Sequence, residues 1–183
     1  MTAPSKLIFD HKHFNITIER LCYQLIENHD DFSSSAIIGI QPRGINLSRR
    51  IHRHLSVILK NQQIKYGELD ISFFRDDFRR REMIVPSATH IDFVMEGMKV
   101  ILVDDVLYTG RTIRAAMDAI LAFGRPEKVE LVALVNRKFS RHLPIEPNYI
   151  GISIDTISSD KVLVSWKETE GEDGIWLQHE NHT

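Results

Sequence analysis

Residues 100 to 112 read VILVDDVLYTGRT, an aliphatic run that ends in two adjacent carboxylates and passes on through Tyr108, Thr109, Gly110, Arg111 and Thr112. With Lys99 in front, KVILVDD has the continuous Val/Ile/Leu composition of a central parallel strand covered on both faces. A helix is expected from Arg111 to about Phe123, ended by Gly124 with Pro126 just beyond it. Strand, turn and helix in that order place Asp104 and Asp105 at the carboxyl end of a sheet strand, where open parallel sheets bind ligands.

The flanking segments extend the same pattern. Phe14, Ile18, Leu21 and Leu25 recur at helical spacing and predict an amphipathic helix over 10–28. AIIGI (36–40) reads as a strand, followed by a loop and a helix from Asn46 to Leu59 with Leu47, Ile51, Leu55 and Ile58 on one face. Residues 66–74 (YGELDISFF) read as a strand in which Phe73 and Phe74 alternate, one in the core and the other towards the active site or a subunit contact. The arginine-rich stretch from 75 to 93 lacks periodicity and is expected to be a long loop. VELVALV (129–135) and YIGISI (149–154) are expected as further central strands, and Trp166 and Trp176 lie in strand-like pieces of the tail, where packing is the expected role. Strands alternating with helices imply an α/β fold with a central, mainly parallel sheet flanked by helices. At 183 residues, 43% of them hydrophobic, the chain suffices for one core, so residues 1–183 are expected to form a single domain.

Composition excludes several classes. No apolar run approaches the roughly 20 residues needed to cross a bilayer, and the N-terminus lacks a basic segment followed by a hydrophobic one, so a cytoplasmic protein without membrane contact is expected. The single cysteine, Cys22, falls within a helix and implies neither a disulfide nor a zinc site. His11/His13 and His52/His54 look like metal-binding pairs, but an offset of two on a helix points them to different faces. A net charge of −2 gives no global reason to bind nucleic acid, although arginines cluster at Arg43, Arg49, Arg50 and Arg53 and again at Arg75 and Arg79 to Arg81.

The turn after the acid pair supplies amides, two hydroxyls and a glycine at the start of a helix, the parts of a phosphate cradle. Carboxylates next to such a cradle suit a ligand that carries hydroxyls beside a phosphate, since they accept from hydroxyls while the amides hold the anion. Ribose 5-phosphate fits that description. A bare phosphate would be repelled by the acids, and a dinucleotide calls for a GxGxxG turn that the chain lacks.

The stretch resembles the phosphoribosyl-pyrophosphate (PRPP) motif of the type I phosphoribosyltransferases. IIGIQPRGINLSRRI, GELDISFFRDD, GRP (124–126) and LPIEPNYIG extend the resemblance over roughly residues 36–151, to the bifunctional pyrimidine-operon attenuator and uracil phosphoribosyltransferase family. The resemblance implies a type I phosphoribosyltransferase fold with a small hood, and transfer of phosphoribose from PRPP to uracil, giving UMP and pyrophosphate. It implies catalytic roles for Asp104, Asp105 and Arg43, with the acids on the ribose hydroxyls. Tyr108, Thr109, Gly110, Arg111 and Thr112 would hold the 5′-phosphate. Gln41, Pro42, Arg43, Gly44, Arg75 and Asp76 would hold pyrophosphate, and Asn136 and Arg137 would face the base. It further implies Mg²⁺ carried mainly by PRPP, with Asp104 and Asp105 assisting and no other metal ligand, an active-site loop at about 75–93, and a homodimer or higher oligomer. UMP-dependent binding of an mRNA leader is the family's second role.

The chain departs from the family pattern at three places. Gln41-Pro42 stands where many relatives carry Lys-Thr; proline removes an amide that could reach pyrophosphate and favours a cis peptide. Asn136 to Phe139 replaces an acidic residue followed by Arg-Gly-His-Arg. The N-terminal helix carries Arg20 against Glu19, Glu27, Asp30 and Asp31, which shifts any basic RNA-binding patch to Lys138, Arg141, His142 and Lys161. Two alternatives stay open: an RNA-binding attenuator with little catalysis, and a phosphoribosyltransferase for hypoxanthine, guanine or orotate.

Overall fold

The computed structural model describes residues 5–75, 86–156 and 160–179. In chain order its first half runs β1 (Ser5–Phe9), α1 (His11–His29), β2 (Ser35–Ile40), α2 (Gly44–Ile58) and β3 (Lys65–Leu69). The second half runs β4 (Lys99–Leu107), α3 (Arg111–Ile120), β5 (Lys128–Lys138), β6 (Tyr149–Asp155), β7 (Asp160–Ser165), α4 (Lys167–Glu170) and β8 (Gly174–His179).

The aliphatic run forms the middle strand of a five-stranded parallel sheet ordered β3-β2-β4-β5-β6. Successive side chains of a strand point to opposite faces, and both faces of β4 are covered. Ile101 and Val103 pack with Ile37 and Leu134 against Phe14, Leu21, Leu47 and Ile51 of α1 and α2. Val100 and Leu102 pack with Ile38 and Ala133 against Ile113, Ala116 and Ile120 of α3. Double coverage accounts for the absence of polar alternation in KVILV. The helix after the turn ends in a 3-10 turn at Leu121–Phe123, closed by Gly124 at φ 126°.

Three expectations are corrected. YIGISI is not central: β6 pairs only with β5 within this sheet and forms its edge, and Arg20 of α1 donates to the Ile150 and Gly151 carbonyls at 3.1 and 2.6 Å. Strand β3 stops at Leu69, because the Asp70 carboxylate accepts from the Ser72 amide and hydroxyl at 3.0 and 2.6 Å and turns the chain into a 3-10 turn. Phe73 and Phe74 therefore do not alternate, and at 81% and 40% exposed neither is core. The acid pair lies within β4, which continues to Leu107, rather than at its end.

A second, antiparallel sheet of three strands, ordered β1-β8-β7, forms the hood. Trp166, at its junction with α4, is buried and meets Phe14 edge-on with ring centres 5.0 Å apart. Cys22 is buried in α1, and burial pushes its thiol up to about 12.

The start of α2 presses on β4. A Cβ at Gly44 would stand 2.3 Å from the Val103 carbonyl oxygen and 3.1 Å from the Asp104 Cα, both main-chain atoms that cannot rotate away. Gly44→Ala is expected to destabilise the fold by about 1–3 kcal/mol; an unchanged melting temperature would show that α2 can move off the strand.

Candidate active site

Asp104 and Asp105 project from adjacent positions of β4 and are only 6% and 5% exposed. The Asp105 amide donates to Asp104 Oδ1 at 3.0 Å. Burial pushes the Asp104 carboxyl well above the usual carboxylate range, and the charge of Asp105 pushes it further. Burial also raises Asp105, against the pull of Arg43, whose Nε donates to Asp105 Oδ2 at 2.9 Å. Two acids in this setting attract a ligand that brings hydroxyl donors or positive charge.

Arg43 lies in the turn between β2 and α2, immediately before Gly44, and the Gln41–Pro42 peptide in that turn is cis. The Gln41 side-chain amide donates to the Ala88 carbonyl at 2.7 Å. Arg43 also donates to the Val164 carbonyl of β7 and stands 3.8 Å from the Glu170 carboxylate of α4, so it bridges the turn, the acid pair and the hood. Arg75, at the edge of the described residues, lies near enough for its charge to act on Asp104. Asp76 and Arg79 to Arg81 lie outside the described residues.

After Leu107 the chain turns through Tyr108 and Thr109 to Gly110, which caps α3 at φ 90°. A glycine there lets the turn take a left-handed conformation and leaves no side chain over the helix amides. Arg111 and Thr112 form the first residues of α3. The turn is roofed by the segment after β5. The His142 amide donates to the Thr109 carbonyl at 3.0 Å, and a Cβ at Gly110 would meet Ile145 Cδ1 at 3.2 Å.

Arg141 fixes this roof. Its guanidinium donates to the carbonyls of Leu107, Arg137 and Ile145 at 3.2, 3.1 and 3.0 Å, and also to the Tyr108 carbonyl and Asn136 Oδ1. Sequence reasoning placed Arg141 in a basic surface patch, whereas its guanidinium binds inward. Its acceptors are mainly main-chain carbonyls, which leave no mark in a sequence.

Asn136 and Arg137 are buried at the end of β5. The Arg137 guanidinium lies 3.9 Å from the centre of the Tyr108 ring, and its Nε donates to Thr156 Oγ1 at 3.0 Å. Of the residues singled out by sequence, Asp104, Asp105, Arg43, Gly44, Gln41, Pro42, Tyr108 to Thr112, Asn136 and Arg137 thus gather around the carboxyl ends of β2, β4 and β5. Among the described residues no three or more His, Cys, Asp or Glu side chains are grouped to hold a metal ion. The two adjacent carboxylates are hard oxygen donors, suited to assisting a Mg²⁺ ion that keeps most of its ligands from elsewhere.

Comparison with known proteins gives a consistent answer. The bifunctional protein PyrR of Elusimicrobium minutum is 41% identical over 178 residues, covering 97% of this chain and 98% of its own. The pyrimidine operon regulatory protein of Lactococcus lactis subsp. lactis is 42% identical over 176 residues, covering 96% and 98%. The hypoxanthine phosphoribosyltransferase of Trypanosoma cruzi superposes with a TM-score of 0.71 at 14% identity, covering 96% of this chain and 97% of that one, a likeness of fold. No helix among the described residues is long and apolar enough to cross a membrane. The family model for the phosphoribosyl transferase domain matches residues 5–169, nearly the whole of the folded chain, and this protein belongs to that family.

Proposed function

We propose that the chain is a single-domain uracil phosphoribosyltransferase of the cytoplasm, transferring phosphoribose from PRPP to uracil with release of pyrophosphate. The observation that carries this reading is the buried acid pair followed at once by a glycine-capped helix N-terminus. Hydroxyl acceptors and an anion cradle are thereby offered a few residues apart.

In this reading Asp104 and Asp105 accept from the ribose 2′ and 3′ hydroxyls. The first amides of α3, with the hydroxyls of Thr109 and Thr112, hold the 5′-phosphate. Arg43 and the 41–44 turn hold the diphosphate, assisted by Arg75 and Asp76. Asp104 and Asp105 would assist a Mg²⁺ ion carried mainly by PRPP, which when bound would supply neutralisation of the leaving group. Departure of pyrophosphate leaves a ribosyl centre with oxocarbenium character, and the nearby acids would stabilise that charge. Asn136 and Arg137, buried near the end of β5, would face the base in this reading. The relatives' names, a bifunctional protein and a pyrimidine operon regulatory protein, support a second, regulatory role; its proposed form is UMP-dependent binding of an mRNA leader by a homo-oligomer. With the Arg141 guanidinium turned inward, Lys138, His142 and Lys161 are what the proposed basic patch retains.

The test is an assay with PRPP, Mg²⁺ and each of uracil, orotate, hypoxanthine and guanine, following pyrophosphate release. UMP formation from uracil alone supports the reading. Turnover with another base replaces the substrate assignment, and PRPP binding without turnover leaves the regulator.

A further inference from the structure

Arg43 precedes α2, and Arg50 follows it by seven residues, about two helical turns, so both lie on one face of the helix. That face carries the hood. Arg50 donates to Glu168 Oε1 and Oε2 at 2.9 and 2.5 Å and to Asp173 Oδ1 at 2.6 Å. Its guanidinium sits 5.6 and 5.1 Å from the ring centres of Phe14 and Trp166. The side chain is 14% exposed and that of Asp173 only 2%. Asp173 in turn accepts from the Lys167 amide at 2.9 Å and lies 3.1 Å from His11 Nδ1. Burial alone would lower the pKa of Arg50 and raise that of Asp173, but the bonds to Glu168 and Asp173 raise Arg50 on balance, and those from Arg50, the Lys167 amide and His11 lower Asp173.

The segment held by Arg50 is the one that reaches Arg43. Glu168 belongs to α4, which ends at Glu170, and the Glu170 carboxylate accepts from the Trp166 amide at 2.8 Å and faces Arg43 at 3.8 Å. Val164, whose carbonyl takes the second Arg43 contact, lies two residues before Trp166. A planar fork bound to two carboxylates and stacked on two rings is more restrictive than a flexible ammonium would be.

We propose that Arg50 is a positioning residue for PRPP binding, fixing the α4 turn so that Glu170 and the Val164 carbonyl hold the Arg43 guanidinium against Asp105. This rests on the phosphoribosyltransferase reading above. Arg50 touches none of the atoms that would react; it sets the orientation of a residue that would.

Arg50→Lys keeps the charge and the apolar stem but loses the fork, and Glu168→Gln removes one arm at a half-exposed position. Both are to be checked by thermal melting, then measured for turnover and for PRPP affinity by calorimetry with Mg²⁺. The expected result is a rise of about 10-fold in the KM and Kd for PRPP, larger than any change in the KM for uracil, as for a lost charge-assisted contact. In an Arg43→Ala background, Arg50→Lys is expected to add little, since its effect passes through Arg43. A folded Arg50→Lys or Glu168→Gln variant with wild-type PRPP affinity overturns the proposal, as does a full additional loss in the Arg43→Ala background. Wild-type protein that binds PRPP but turns over no base removes the proposed reaction, while the affinity comparison still decides the role of Arg50. Wild-type protein that binds no PRPP removes both.

Discussion

Replacing Asp104 and Asp105 together by Asn is expected to lower turnover by at least about 1000-fold while raising the melting temperature of the unliganded chain. The loss of activity follows from removing both negative charges from a buried site, where fixed electrostatics is worth far more than in water. The gain in stability follows from the same burial. Both carboxyls titrate above the ordinary aspartate value in the folded chain, so the folded state holds protons that the unfolded state has released. The pair's own contribution to stability is then most favourable below the ordinary aspartate range and falls as pH rises from there through the raised values. At neutral pH an ionised pair is a net penalty, offset in part by Arg43. The double variant should melt above the wild type at about pH 8, and the advantage should disappear in acid. Calorimetry at both ends of the pH range, beside the uracil assay, checks both halves. Near-normal turnover would remove the central claim, and a lower melting temperature at alkaline pH would mean that the Arg43 ion pair outweighs burial.

Arg141→Met is expected to cost about 3 kcal/mol of stability or more and to raise the KM for PRPP at least about 10-fold. The substitution preserves the apolar stem but removes the donors that reach the Leu107, Tyr108, Arg137 and Ile145 carbonyls and Asn136 Oδ1. Part-buried acceptors are left short of a partner, which costs more than the net value of the bonds themselves. The same donors hold the turn from Leu107 to Thr109 under its roof, so the cradle would lose its preorganised shape. Arg141→Lys should recover part of the stability and little of the affinity, because one ammonium cannot span these acceptors. A variant with wild-type melting and wild-type KM would return Arg141 to the surface patch.

What the sequence made legible follows the range of the forces involved. β4 and α3 were readable because a doubly covered strand needs a continuous aliphatic run and a helix stop needs glycine and proline, all local signals. The hood was implied by the family resemblance alone, and its strand pairing was not readable: β1 pairs Lys6 with Leu177 and Leu7 with Trp176, across nearly the whole chain, and neither short strand carries a marker of that partner. The edge position of β6 was equally hidden, since apolar content reports burial and not strand order. The turn that displaced Phe73 and Phe74 did leave a signal in the Asp70-Ile71-Ser72 sequence, overridden by the aromatic alternation. At the site, Asp104, Asp105 and Arg43, singled out by side-chain chemistry and by resemblance, do come together in the structure. Arg141 and Glu170 were missed because what they do depends on the position of distant groups.

The difference in construction between the two sheets gives the molecule a preferred place to open. The strand that carries the acid pair has a parallel neighbour on each side and helices over both faces, whereas the hood is three short strands joined to the core by a few apolar side chains, Val164, Trp166 and Ile175, and to α2 by Arg50. Sub-global opening starts where buried apolar contact is least. In hydrogen exchange the amides of β4 are expected in the slowest class and those of β1, β7 and β8 in a faster one. The acid pair and the turn after it therefore outlast the hood above them, and a transiently opened molecule would keep the proposed ribose site while its cover is undone.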